Sequence, residues 1–356
     1  MQLPFEAKIC IKFYFLAKKI KNNLESLALT GGSKAMAYML AGIGALTAGA
    51  FFYSAPCKKK TETKASCIFC KQSESNPRSV VEKQKICEGR HIRLLLDNSP
   101  IMPGHVLITT TEHKERSHEL DEKEVLAEHA MMQQIAKVYR EEYNADSYLV
   151  VQKNGRNAGQ AVLHYHKHIY PVASKADLKT AQCNFTKKFL SCSLLGAKLK
   201  DSELTRIKDD LGVKIAVPEI AADIDIAIDR NLVRIFIPKK QIGLGHVIIE
   251  TAASNGKAHE ITQEEAIACQ DALVRIVTIY RDMFDTESYM QLQENGANTG
   301  QSTPKFRIHL YAAPNSSSRY LSQARNLLHY LFPCLGNRAS QDFKNRIARL
   351  NQEALV

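Results

Sequence analysis

Two α+β domains in tandem, each an antiparallel sheet with one long helix, are the fold class this sequence predicts. Three observations carry the reading. Shifted by 141 positions, the chain matches itself without gaps, so that His105 falls on His246 and His168 on His309. Each copy holds short apolar runs, rich in β-forming residues and bounded by turn residues. Between those runs lies one stretch of helical periodicity.

The self-match is dense. Pro-Gly-His at 103–105 meets Leu-Gly-His at 244–246, and both lead into apolar residues. Tyr139-Arg140 meets Tyr280-Arg281, Ser147-Tyr148 meets Ser288-Tyr289, Asn154-Gly155 meets Asn295-Gly296, and Gly159-Gln160 meets Gly300-Gln301. One constant offset across so many positions marks a duplication, with copies at 67–173 and 220–314.

In the first copy His91–Leu96 reads as a strand before the turn Asp97-Asn98-Ser99-Pro100, and Val106–Thr111 as a second strand. Glu122–Tyr143 places Val125, Leu126, His129, Met132, Ile135, Ala136 and Tyr139 on or near one helical face, with Asp121 as cap. Ser147–Gln152 and Leu163–Tyr170 are two further strands, separated by the Gly-rich stretch Asn154–Gln160. Residues 174–219 read as a charged helical linker. The tail 315–356 reads as helical, with Phe343, Ile347 and Leu350 in register.

Charge is uneven. Of the net +11, most sits in residues 1–64, which hold ten Lys against three Glu. That excess flanks Ala35–Tyr53, 19 residues without a charge, enough for one membrane pass. Residues 1–34 are then a basic N-terminal segment, 35–53 a transmembrane helix and 54–66 a basic linker. Lys58, Lys59, Lys60 and Lys64 outnumber Lys21 and Lys34, which orients a single-pass protein with its catalytic part in the cytoplasm. A cleaved targeting segment and a buried helix are the competing readings. Nucleic acid is not an expected partner. Nine scattered cysteines do not form a secreted disulfide framework, and only Cys67 and Cys70 have metal-ligand spacing.

The sharpest feature is His164-Tyr165-His166-Lys167-His168. On an extended strand, alternate residues share a face, so three imidazoles line one side. Neutral imidazole is a nucleophile near neutral pH and attacks phosphorus. A tri-histidine metal site is the rival, although a linear row suits a tetrahedral metal poorly.

Cys-Ile-Phe-Cys at 67–70, Pro-Gly-His at 103–105, Ala-Gly-Gln at 158–160 and His-x-His-x-His at 164–168 resemble the histidine-triad (HIT) family in order and spacing. The resemblance implies an antiparallel sheet of about five strands per domain and, because family members commonly dimerise through their sheets, an intramolecular pseudo-dimer. It implies that His166 attacks the α-phosphate of a purine nucleotide, and that water then releases a nucleoside monophosphate. His105 and His168 would flank the phosphate. Gln160 and Asn154 would donate to phosphate or leaving-group oxygens, the loop around Gly159 would offer backbone N–H groups, and Asp97 would accept from ribose hydroxyls. His113 and His164 would complete a structural zinc site with Cys67 and Cys70. Lys167 stands where the family places an apolar residue, so it needs either an open sheet face or an acidic partner.

The second copy carries Lys305 and Arg307 at the positions of His164 and His166, and Ser254 at that of His113. Arginine stays protonated and cannot act as nucleophile. This copy reads as a degenerate folding partner; an anion-binding face is the alternative. For the whole chain the expectation is a membrane-anchored nucleotide hydrolase, acting as a monomer or homodimer. A nucleotidyltransferase or dinucleoside polyphosphate phosphorylase, and a non-catalytic nucleotide-binding scaffold, are the alternatives.

Overall fold

The computed structural model describes residues 67–70, 80–97, 99–181, 214–215, 228–238, 243–253, 256–314 and 340–352, all within the compact unit Lys60–Val356. The proposed transmembrane helix at 35–53, its flanking segments, most of the 174–219 linker and residues 315–339 lie outside the described residues. Among the described residues no helix is long and apolar enough to cross a membrane.

The first copy runs α1 (Val80–Gln84), β1 (Lys85–Glu88), β2 (Ile92–Leu96), β3 (Val106–Thr110), α2 (Glu122–Tyr143), β4 (Tyr148–Asn154) and β5 (His166–Pro171). The second repeats it as β6 (Val233–Phe236), β7 (Val247–Thr251), α3 (Gln263–Phe284), β8 (Tyr289–Asn295) and β9 (Arg307–Ala312), followed by α4 (Gln341–Gln352). All nine strands form one antiparallel sheet in the order β1-β2-β3-β5-β4-β8-β9-β7-β6.

The copies meet strand to strand. Tyr148 pairs with Asn295 and Asn154 with Tyr289, so β4 and β8 are related by a pseudo-twofold axis through the Val151–Leu292 pair. The contacts around that axis come in matched pairs. The Tyr148 hydroxyl lies 2.8 Å from His259 Nδ1, and the Tyr289 hydroxyl 3.1 Å from His118 Nδ1. Asn154 Oδ1 accepts from the Ser117 amide at 2.8 Å, and Asn295 Oδ1 from the Ala258 amide at 2.7 Å.

Both long helices are fixed by local chemistry. Asp121 and Glu124 form a reciprocal capping box at the start of α2, and Thr262 and Glu265 do the same for α3. Each ends on a left-handed residue, Asn144 or Asp285. Their apolar stripes, including Leu126, Ile135, Tyr139, Ile276 and Tyr280, pack on one face of the sheet into a single core spanning both copies. Phe343, Ile347 and Leu350 bury one stripe of α4 in that core beside β6 and α3.

The opposite sheet face carries a smaller apolar cluster, with Leu149, Val151 and Tyr170 from the first copy and Leu292 and Tyr311 from the second. The histidines lie on this face. Lys167 points to the helical side, where it is buried in an ion pair with Glu128, which also accepts from the Tyr165 hydroxyl. The acidic partner, not an open face, accounts for Lys167.

One sequence expectation fails here. The strand expected over Leu163–Tyr170 begins only at His166, because residues 161–164 form a bend. The three triad histidines therefore do not form a row.

Candidate active site

The turn before β3 delivers His105. Gly104 adopts φ +79°, and a Cβ there would press on Tyr143 and Pro171. The Tyr139 hydroxyl donates to the Gly104 carbonyl at 2.7 Å, holding the turn onto α2. His105 Nδ1 accepts from the Ile101 amide at 3.4 Å, so its proton sits on Nε2, 2.9 Å from His168 Nδ1. His105 thus donates to His168, which keeps its own proton on Nε2 and presents an N–H donor. Asp97 closes this group, with Oδ2 3.5 Å from His105 Nε2 and 3.7 Å from His168 Nδ1. Its Oδ1 accepts from the Ser99 amide at 2.7 Å.

His166 lies on β5 beside His168, with ring centroids 5.2 Å apart. Its Nδ1 is 2.8 Å from the His164 carbonyl. A carbonyl only accepts, so Nδ1 carries the proton and Nε2 keeps its lone pair. Burial pushes the imidazole pKa down, and the Lys153 ammonium adds to that effect; the donation to His164 and the Asp97 carboxylate oppose it. The ring is held neutral, as a nucleophile requires.

His164 belongs to a different group. Its Nδ1 lies 3.5 Å from Cys67 Sγ and 3.3 Å from Cys70 Sγ, while His113 Nδ1 lies 3.2 Å from Cys70 Sγ. All four ligand atoms fall within 4.8 Å of one another. His164 Nε2 donates to the Thr110 carbonyl at 2.9 Å, which leaves Nδ1 free of its proton and turned to the thiols. Burial pushes this imidazole down to about 4. A Cys/His cluster able to hold a metal is therefore assembled from Cys67, Cys70, His113 and His164. Phe69, inside the Cys-x-x-Cys knuckle, packs edge-on against both His164 and His166 at 5.6 Å. The knuckle is tied to the sheet by Arg93, which donates to the Phe69 carbonyl at 3.0 Å.

Two expected ligand contacts are corrected by the structure. Asn154 is fully buried and faces the helical side, opposite to His166 and His168, where it accepts from Ser117. Strand parity dictates this: Val151 pairs with His168 and Gln152 with Lys167, so 151 and 153 share the histidine face while 152 and 154 do not. Gln160 is also buried, and its amide is spent on backbone. Oε1 accepts from the Gly155 amide at 2.5 Å, and Nε2 donates to the carbonyls of Glu115 (2.7 Å) and His164 (3.0 Å). Gln160 braces the loop and pins the carbonyl that orients His166, which is a positioning role.

The loop around Gly159 is likewise self-contained. The amides of Ala158, Gly159 and Gln160 bond to carbonyls of Gly155 and Arg156. Gly155, at φ +83°, lies so close to Ser288 of the second copy that no side chain would fit. Sequence reasoning missed Lys153, which shares the histidine face of β4 with Leu149 and Val151. Alternation supplied the signal, but the sequence does not say which parity faces the site.

A family model for the HIT domain matches residues 78–174. The protein hit of Bacillus subtilis is 31% identical over 112 residues, covering 32% of this chain and 74% of that protein. The adenosine 5'-monophosphoramidase of Schizosaccharomyces pombe is 34% identical over 106 residues, covering 30% of this chain and 74% of its own. The bis(5'-adenosyl)-triphosphatase of Dictyostelium discoideum is 35% identical over 77 residues, covering 22% of this chain and 52% of its own.

Proposed function

Because the chain belongs to the histidine-triad family, we propose that it is a nucleotide hydrolase that works through His166. The observation that carries the reading is the His166 tautomer: Nδ1 bound to the His164 carbonyl, Nε2 left as a lone pair, beside an N–H donor on His168. In this reading the Nε2 lone pair forms a bond to the α-phosphorus of a purine nucleotide. The bond to the leaving group breaks and its electron pair departs with that group. His168 donates to a phosphoryl or leaving-group oxygen, and Asp97 and His105 hold it in place. Water then attacks the same phosphorus, the P–N bond breaks back to Nε2, and a nucleoside monophosphate leaves. Asp97, only 8% exposed, meets the ribose hydroxyls at the rim of this group.

The Cys67, Cys70, His113 and His164 cluster fits zinc. Tetrahedral zinc with ordinary Zn–S and Zn–N bonds sets neighbouring S and N atoms about 3.5 Å apart. The S···N separations here are 3.2–3.5 Å. Zinc held there would tie the Phe69 knuckle to the sheet and fix His164, whose carbonyl orients His166. Residues 35–53, uncharged and flanked by lysines, would anchor the chain in a membrane with its catalytic part on the cytoplasmic side. Retention in the pellet after alkaline carbonate extraction is expected, and release into the supernatant would exclude that anchor.

Rapid mixing with a nucleoside phosphoramidate or a dinucleoside polyphosphate, followed by mass spectrometry, tests the enzymatic reading. A nucleoside-monophosphate adduct on His166 is expected. Turnover with the adduct on another residue, or turnover undiminished in His166→Ala, would overturn it.

A further inference from the structure

We propose that the cavity between α2, α3 and the sheet binds a small neutral molecule with an apolar body and one hydrogen-bond donor. The site lies on the helical side, behind the strand that carries His166 and His168, and is independent of the nucleotide chemistry.

The cavity straddles the pseudo-twofold axis, because both members of matched pairs line it. Glu128 and Cys269, Tyr165 and Phe306, and Lys167 and Ile308 are three such pairs. Two identical copies would place the same groups on both walls. Here the copies have diverged, so the first contributes a carboxylate, a hydroxyl and an ammonium where the second contributes a thiol and two hydrocarbon groups. Met132 and Leu273 add apolar surface on either side. An occupant that matches both walls is amphipathic, with its polar end turned to the first copy.

The polar wall has one acceptor left to fill. Lys167 pairs with Glu128, which also accepts from the Tyr165 hydroxyl, so these three satisfy one another. Gln270 spends its amide on the carbonyls of Ser117 (2.8 Å) and Leu120 (3.3 Å). His129 is the match of Gln270 and makes the equivalent contact across the axis, giving a ring N–H to the Ile261 carbonyl. Its other nitrogen, Nε2, is buried without a hydrogen-bond partner, and the residue is only 7% exposed. Burial also keeps the ring neutral, so Nε2 holds a lone pair. A buried acceptor with no donor is costly, and an N–H or O–H group of a guest relieves that cost.

The same accounting sets charge and size. Glu128 and Lys167 already neutralise each other, so a charged guest would leave water without a counter-ion. The cavity measures about 70 Å³. One water-sized sphere occupies ~10–15 Å³, which leaves room for about five non-hydrogen atoms.

The test titrates the full chain with three probes of that size: pyrazole, a neutral ring with one N–H; furan, a ring of the same size without a donor; and propionate, an anion. Nitrogen NMR of the His129 ring follows the binding. Pyrazole is expected to saturate and to shift the Nε2 resonance, furan to bind at least about tenfold more weakly, and propionate not to bind. His129→Leu should reduce pyrazole to the furan level. Cys269→Phe, which fills the apolar half, should abolish saturable binding of both rings, and Ala266→Leu serves the same end if that variant does not fold. No saturation by pyrazole would overturn the proposal, leaving a cavity that holds water alone. Pyrazole binding that matched furan, that survived His129→Leu unchanged, or that AMP displaced would overturn it as well, the last by placing the ring at the nucleotide site.

Discussion

The two copies of the fold share almost every structural device and differ at a few positions around the histidines of the first copy. His105 and His168 lie 2.9 Å apart; His246 and His309 lie 3.0 Å apart. Gln160 and Gln301 brace their loops through the same three kinds of backbone contact. Yet Arg307 occupies the position of His166 and is held by Glu250 at 2.7 Å, while Lys305 donates to the Ala252 carbonyl at 2.7 Å and stands where the first copy has His164. An ion pair and a lysine-to-carbonyl bond thus stand where the first copy has a neutral imidazole and a Cys/His cluster. Arg307 is committed to Glu250, which favours a folding partner over an anion-binding face. A loop signature such as Gly-Gln is therefore a scaffold signature: it is kept in a copy whose Arg307 cannot act as a nucleophile.

The comparison can be broken most severely at its chemical end. His166→Ala is expected to lower kcat by about 10⁴-fold or more while nucleotide binding persists, whereas Arg307→Ala should change kcat less than about threefold. Steady-state hydrolysis with calorimetric binding checks both, and an Arg307 variant as inactive as His166→Ala while still folded would refute the division of labour.

The helical side offers a second break. Tyr165, Lys167 and Glu128 in the first copy are matched by Phe306, Ile308 and Cys269 in the second. Lys167→Ile alone strands the largely buried Glu128 carboxylate and should cost about 2 kcal/mol in chemical denaturation. The triple variant Tyr165→Phe, Lys167→Ile, Glu128→Cys transplants the apolar set and should recover most of that loss. A triple variant no more stable than the single one would mean the cost lies in packing.

Among the described residues the Cys/His cluster is found in the first copy alone, so zinc bound there should give about one zinc per chain rather than two by elemental analysis. Cys67→Ser should lower the melting temperature. It should also reduce kcat by roughly tenfold, because His164 serves both the cluster and the carbonyl that orients His166. Zinc-free wild-type protein with unchanged melting would remove the metal.

The smallest effect is a titration in the second copy. Burial pushes the Glu294 carboxyl up to about 7, against the opposing pull of Arg307. The folded chain keeps that proton where the unfolded chain, with an ordinary value of 4.5, has released it. Stability is therefore fullest below that value and falls as pH rises through this window. Glu294→Gln should narrow the melting-temperature gap between about pH 5 and about pH 8 by a few degrees. A gap of the same size in both proteins would place the carboxyl in solvent.

Much of the fold was legible because duplication and periodicity are properties of the chain itself. The constant offset announced two copies, and Glu122–Tyr143 carried both its apolar stripe and its cap, so the helix limits match the expected ones. The bend at 161–164 was not legible. Alternating histidines satisfy a strand pattern equally well whether or not backbone pairing begins at the first of them.

What the sequence determined alone was the inventory: two copies, one intact set of histidines, one Cys-x-x-Cys, and a second set in which a permanently charged arginine rules out nucleophilic attack. What tertiary structure decided was direction. It turned His164 away to the thiols and Asn154 to the helices, and it aligned Lys153 with His166. The reason is physical. A residue's type and spacing are local, but the face it presents depends on which strands pair and where pairing starts, and hydrogen bonds between segments far apart in sequence set both.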